Sequence, residues 1–214
     1  MKRTVSTQTL VRLALLAAIE LVLAYTPLGY FRTAGLEISF LMIPVTLGAI
    51  LLGPACGAIL GGIFGLTSFG TCFGSSAFGA ALLAINPALT FIVCVPTRIL
   101  AGWLTGLIFK ALYNMESRRV VAGGAEDSDR AHWFSFGCAS LAGPILNTVF
   151  FMGSLVACFY PTEYIQSFVS MLGAANPFMF IVLFVGVQGV IEALVGFVVS
   201  AAISKAVYRV FMTR

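Results

Sequence analysis

The chain is built almost entirely of apolar runs close to the length of a membrane-crossing helix, divided by Gly-Pro turns and small clusters of charge. At 1.5 Å per residue, roughly 20 such residues cross about 30 Å of hydrocarbon. Few architectures accommodate runs of this kind, because in lipid every backbone amide must find its partner within the protein. The runs recur along nearly all 214 residues and leave no room for a sizeable soluble domain. With 60% hydrophobic and 9% charged residues, against roughly a quarter charged in a soluble domain, the sequence reads as an integral membrane protein.

Breaks at Pro, Gly and charge divide the chain into six predicted helices, about 8–26, 38–52, 55–71, 86–113, 132–159 and 176–210. The expectation is therefore an all-α, six-helix transmembrane protein forming one domain over 1–214. The amino-terminal stretch "MKRTVSTQTLVRLALLAAIELVLAY" starts like a signal peptide but continues as a full-length apolar run, so it is read as a retained first helix. Between the second and third helices "LLGPAC" leaves room only for a tight turn, which makes them an antiparallel hairpin.

An even number of helices puts both termini on one side. Lys2, Arg3, Arg12, Lys110, Arg118, Arg119, Arg130, Lys205, Arg209 and Arg214 fall on that side too, which the positive-inside rule makes cytoplasmic. Orientation thus accounts for the net charge of +4, and no nucleic-acid partner is called for. The opposite side has Arg32 as its one basic residue, and three longer segments, "TPLGYFRTAGLEI", "GTCFGSSAFGAALLAI" and "YPTEYIQSFVSMLGAAN". These segments are read either as a lid over an outward-facing pocket or as interfacial connectors with aromatic anchors. The polar stretch at 114–131, containing "ESRRVVAGGAEDSDR", has the composition of a flexible cytoplasmic loop.

Several chemistries are missing. Cys56, Cys72, Cys94, Cys138 and Cys158 are scattered without a C-x-x-C pair and read as small apolar packing residues. The single histidine, His132, lies in the charged loop, so neither a metal centre nor a histidine-based hydrolase can be assembled, and no enzyme or cofactor is expected. Gly is nowhere followed by Lys, which excludes the phosphate loop G-x-x-x-x-G-K-[ST] and assigns any ATP hydrolysis to another chain.

Polar residues inside the apolar runs carry the chemistry that is left. Two helix starts, "NPALTFIVCVPTR" and "NPFMFIVLFVGVQ", share an Asn cap followed by Pro. Arg98 and Gln188 stand at the same separation from Asn86 and Asn176, about 18 Å along each helix. Asn147, beyond the kinking Pro144, falls at a comparable depth, and Glu192 follows Gln188 by one turn. Arg98, Asn147, Gln188 and Glu192 are therefore the candidate ligand-binding layer, with Asn86 at its outer edge. A charge at the bilayer centre costs roughly 2.5–3.5 kcal/mol, so Arg98 and Glu192 need each other or a polar ligand. Both an architectural ion pair and a pocket in which Arg98 grips a carboxylate stand open. In the first helix Ala14 and Ala18 form a small-residue stripe that permits close helix approach, within the protein or to a partner, and Glu20 beyond it calls for a polar partner.

Taken together, six helices, cytoplasmic termini, the Ala14–Ala18 stripe and the lack of a phosphate loop resemble the substrate-binding S-components of energy-coupling factor (ECF) vitamin transporters. The segments "IPVTLGAILLGPACGAILGGIFGLTSF", "INPALTFIVCVPTRILAGWLTGLIF" and "NPFMFIVLFVGVQGVIEALVG" look most like the pantothenate-type branch. The resemblance implies a small-molecule vitamin bound at the outer face of a bacterial plasma-membrane protein. It further implies docking, through Ala14 and Ala18, on a transmembrane coupling protein (T component) driven by two ATPase subunits. Another vitamin or precursor, such as a pyrimidine or nucleobase derivative, fits the same layer. A self-sufficient secondary carrier or channel is a further alternative, although no inverted repeat is evident.

Overall fold

The computed structural model describes residues 6–26, 29–33, 36–122 and 132–212, with the side chains of 30–33, 36–39, 119–122, 133, 187, 188, 192 and 204–212 outside the description. Helix α1 (Thr7–Tyr25) starts where Ser6 Oγ accepts from the Thr9 amide at 3.2 Å. It packs on α2 (Met42–Leu51) and α3 (Pro54–Thr71) through Leu13, Leu16, Ala17 and Ala24. The connector after α1 forms a small antiparallel hairpin, β1 (Tyr30–Thr33) against β2 (Leu36–Ser39), with Tyr30 opposite Ser39 and Thr33 opposite Leu36. Apart from this hairpin the described elements are all helices, in keeping with the all-α expectation, and the hairpin delays α2 to Met42 where a helix from about 38 was expected. Tyr30, Phe31, Thr33 and Ile38 favour extended chain, and the ladder pairs backbone groups that an irregular loop would leave open.

The tight turn between α2 and α3 is present as expected, with Gly53 at φ 98°, a conformation open to glycine, and Pro54 opening α3. Gly57, Gly61 and Gly65 then recur every fourth residue along α3 and let it press directly on α6 (Pro96–Ala122) and, at Gly65, on Cys94 and Val95 just before it. A Cβ added at Gly61 would lie 2.2 Å from the carbonyl oxygen of Arg98. That contact fixes the height of Arg98 against α3.

Two further short helices occupy the segments read as lid or connectors. Helix α4 (Ala77–Ile85) is capped by Ser76, and α8 (Glu163–Leu172) is capped by Thr162 and closed by left-handed Gly173. They cover one end of the bundle, where Leu82, Val93, Leu155, Phe159, Ile165 and Phe180 form a buried apolar cluster from α4, α5, α7, α8 and α9.

The run expected as one helix over 86–113 is two. Helix α5 (Pro87–Cys94) ends at Val95, and α6 starts at Pro96, because the proline ring has no N–H to continue the ladder. Helix α6 runs on to Ala122, so the first part of the stretch read as a loop at 114–131 is helical, and 123–131 lie outside the described residues. Helix α7 (Trp133–Phe159) carries Pro144 within it, and α9 (Pro177–Met212) is kinked where Gly186 adopts φ 42°.

Among the described residues four helical stretches are long and apolar enough to cross a membrane: Thr7–Tyr25, Pro54–Thr71, Pro87–Arg118 and Phe134–Phe159. The pair Glu163–Leu172 and Pro177–Gly186, bent by 73°, is a fifth candidate if it counts as one span. Met42–Leu51 and Gly189–Ile203 are apolar but shorter.

Candidate functional site

The break at Pro96 determines what Arg98 meets. Ending α5 at Cys94 frees the carbonyl groups of its last turn, which a continuous helix would have paired. Thr97 Oγ1 donates to the Val93 carbonyl at 2.5 Å. Arg98 Nη1 donates to the Cys94 carbonyl at 2.9 Å and reaches that of Val93 at 3.5 Å. The guanidinium therefore caps the negative end of α5 from the first turn of the next helix. It is held between two aromatic rings, 4.5 Å from the centroid of Phe64 on α3 and 4.8 Å from that of Phe151 on α7, and it is 7% exposed. Cation–π attraction is strongest where water is excluded, at about 2 kcal/mol or more. Phe64, Phe151 and the Cys94 carbonyl were not singled out from sequence. The signal for the last was in plain view, a proline two residues before an arginine in an apolar run.

Asn147 stands one turn from Phe151 on α7, on the same face, and is buried at 9% exposed. No group among the described residues hydrogen-bonds its Oδ1. One turn further along α7, Gly143 faces Thr46 of α2, whose Oγ1 is buried and also unbonded. Thr67, Thr90 and Thr105 instead donate to backbone carbonyls one turn earlier, and Thr97 to that of Val93 across the α5–α6 break. Thr46 was not anticipated, since a threonine in "IPVTLGAILL" is ordinarily a back-bonded hydroxyl of this kind.

Helix α9 packs against α7. Gly196 packs on Pro144, where an added Cβ would lie 2.9 Å from Pro144 Cγ, and positions 192 and 188 follow one and two turns along α9. The side chains of Gln188 and Glu192 lie outside the described residues, as does any pairing of Glu192 with Arg98. Asn86 has a different local role: its Oδ1 accepts from the amides of Ala88 and Leu89, both at 3.1 Å, and caps α5. Asn176 caps α9 in the same way, accepting from Met179 at 2.7 Å.

On α1, Ala14 and Ala18 are exposed on the side turned away from α2 and α3, so internal packing does not use them. Glu20 points inward, is fully buried, and neither carboxylate oxygen has a hydrogen-bond partner, contrary to the polar partner expected. Its helix faces the apolar α2–α3 hairpin, and no described polar group lies within bonding reach. His132 is not a loop residue in isolation: it stacks on Tyr113 at 4.0 Å and lies 3.7 Å from Glu116, which also accepts from the amide and hydroxyl of Ser135 at the start of α7. These contacts tie the end of α6 to the start of α7.

At the α4–α8 end, Phe78, Tyr164, Phe168, Phe180 and Phe184 pack ring to ring, with centroids 5.2–6.0 Å apart. Cys72, at the end of α3, and Cys94, at the end of α5, are buried together with Val95 beside Phe69 and Leu83. Among the described residues no three His, Cys, Asp or Glu side chains converge to hold a metal ion.

Apolar helices closed around a buried arginine, with an amide one turn below its aromatic partner, define a membrane-embedded protein whose polar chemistry lies inside the bundle. The sequence matches the family model for the substrate-specific component of ECF transporters over residues 8–204. The chain belongs to that family, whose members are membrane transport subunits and not enzymes. No curated protein matches it closely enough to narrow the assignment.

Proposed function

We propose that the protein is the high-affinity substrate-binding subunit of an ATP-driven vitamin importer in a bacterial plasma membrane, with pantothenate as its substrate. In this reading six segments cross the membrane, both termini are cytoplasmic, and the α4–α8 end faces outward as the lid. Arg98 supports the reading most strongly: a guanidinium held between Phe64 and Phe151 is a pre-oriented fork for a carboxylate. Asn147, Gln188 and Glu192 serve the amide and hydroxyl groups of such a ligand, and the amide nitrogen of Asn86, which its cap does not use, lines the outer edge. Ala14 and Ala18 meet the coupling protein, which two ATPase subunits drive.

Uptake by proteoliposomes tests the assignment. Pantothenate should accumulate only when the coupling protein, both ATPases and ATP are present with this chain. Gradient-driven flux by the chain alone would make it a secondary carrier or channel instead. Mass spectrometry of the molecule that co-purifies with the protein tests the vitamin, and a pyrimidine or nucleobase derivative there would replace pantothenate.

A further inference from the structure

The cysteines read from sequence as isolated packing residues are not all isolated. Cys72 and Cys94 are separated by 21 residues that contain α4 and nearly all of α5, yet their side chains pack in the same small buried cluster. The Cys72 Sγ donates to the Ser68 carbonyl at 3.5 Å. Both are buried, at 4% and 5% exposed, in a small apolar cluster with Val95. Cys94 is also the residue whose carbonyl holds Arg98, so a displacement of one is felt by the other.

We propose that Cys72 and Cys94 are a dithiol modification site whose oxidation to a disulfide staples the α4–α5 excursion and holds α4 over the site. The oxidant is a small-molecule disulfide, admitted when α4 lifts. The Cys94 thiolate attacks one sulfur of that disulfide, the S–S bond breaks, and one thiolate leaves. Cys72 sulfur then attacks the Cys94 sulfur of the mixed disulfide and expels the second thiolate. The two cysteine protons pass to the two leaving groups, so two cysteines are oxidised by two electrons and one disulfide is reduced to two thiols. A disulfide needs its sulfurs at about 2.05 Å and Cα atoms within roughly 7 Å, so bonding fixes the ends of α3 and α5 relative to each other.

The test treats the purified full-length protein with oxidised glutathione and maps disulfides by peptide mass spectrometry after alkylation. A Cys72–Cys94 bridge should dominate, with Cys56, Cys138 and Cys158 recovered alkylated, and hydrogen exchange within 73–93 should slow several-fold. Cys72→Ser should abolish both changes, and reductant should reverse them. Persistent alkylation of Cys72 and Cys94, or bridges involving other cysteines, would overturn the proposal, as would a bridge with unchanged exchange in 73–93. Should Cys72→Ser fail to fold, Cys94→Ser and the mapping of the unmodified chain decide the matter. None of these readouts depends on which vitamin is bound. Dissociation of labelled pantothenate, expected to slow at least tenfold in the bridged protein, is measured separately.

Discussion

At the scale of single residues, Arg98 combines two roles that a substitution can separate. Its Nη1 holds the Cys94 carbonyl at a helix end, and its flat faces lie against Phe64 and Phe151. Removing it leaves a buried carbonyl without its donor, which costs about 1–3 kcal/mol. Arg98→Ala should therefore lower the thermal midpoint whether or not a ligand uses the guanidinium, so loss of binding in that variant alone is ambiguous. Arg98→Lys is the sharper variant. An ammonium can still donate to Cys94 but cannot present a two-pronged fork to a carboxylate. If Arg98 is a ligand group, Arg98→Lys should weaken pantothenate binding at least tenfold with a smaller loss of thermal midpoint than Arg98→Ala. Unchanged affinity, measured by titration calorimetry, would leave Arg98 as a helix cap only.

At the scale of elements, the position of Arg98 depends on how closely α3 meets α6. A Cβ at Gly61 would fall 2.2 Å from the Arg98 carbonyl oxygen, whereas one at Gly62 would make an ordinary contact, 3.6 Å from Ile99 Cγ1. Gly61→Ala must push the two backbones apart, at a cost of about 1–3 kcal/mol. It should lower the thermal midpoint and weaken ligand binding together, while Gly62→Ala should do neither; equal behaviour of the pair would remove the seam from the account. The elements also show what could be read in advance. The ends of α1, α3 and α7 fall within a few residues of expectation, because apolar runs there stop at a cap, a Gly-Pro turn or a polar stretch. The hairpin, α4 and α8 were hidden, since Gly-rich aromatic segments have the same composition whether they wind, pair or loop. Arg98 and Asn147 were legible as polar residues inside apolar runs, and both are buried. Thr46 and the Cys72–Cys94 pair were not, because one depends on a rotamer and the other on a contact across 21 intervening residues.

For the whole molecule, the two faces of α1 divide the labour. Its inner face lies on α2 and α3 and brings the buried Glu20 with it, while Ala14 and Ala18 look outward between Val11, Leu15 and Val22. In lipid, apolar side chains alone give helices little reason to associate, and close backbone approach at small residues provides the packing that does. A bulky side chain at either alanine would hold another helix off without touching the inner face. Replacing both Ala14 and Ala18 with Trp should therefore leave ligand affinity and thermal midpoint within about twofold and a few degrees of the parent. The same variant should fail to co-purify with the coupling protein and the two ATPases, and proteoliposomes that contain it should lose ATP-driven uptake. Normal assembly would place the docking surface elsewhere on the molecule. Loss of ligand affinity without loss of assembly would mean that α1 supports the binding layer from within, through Glu20 and its apolar neighbours, and that its outer face is simply lipid-facing.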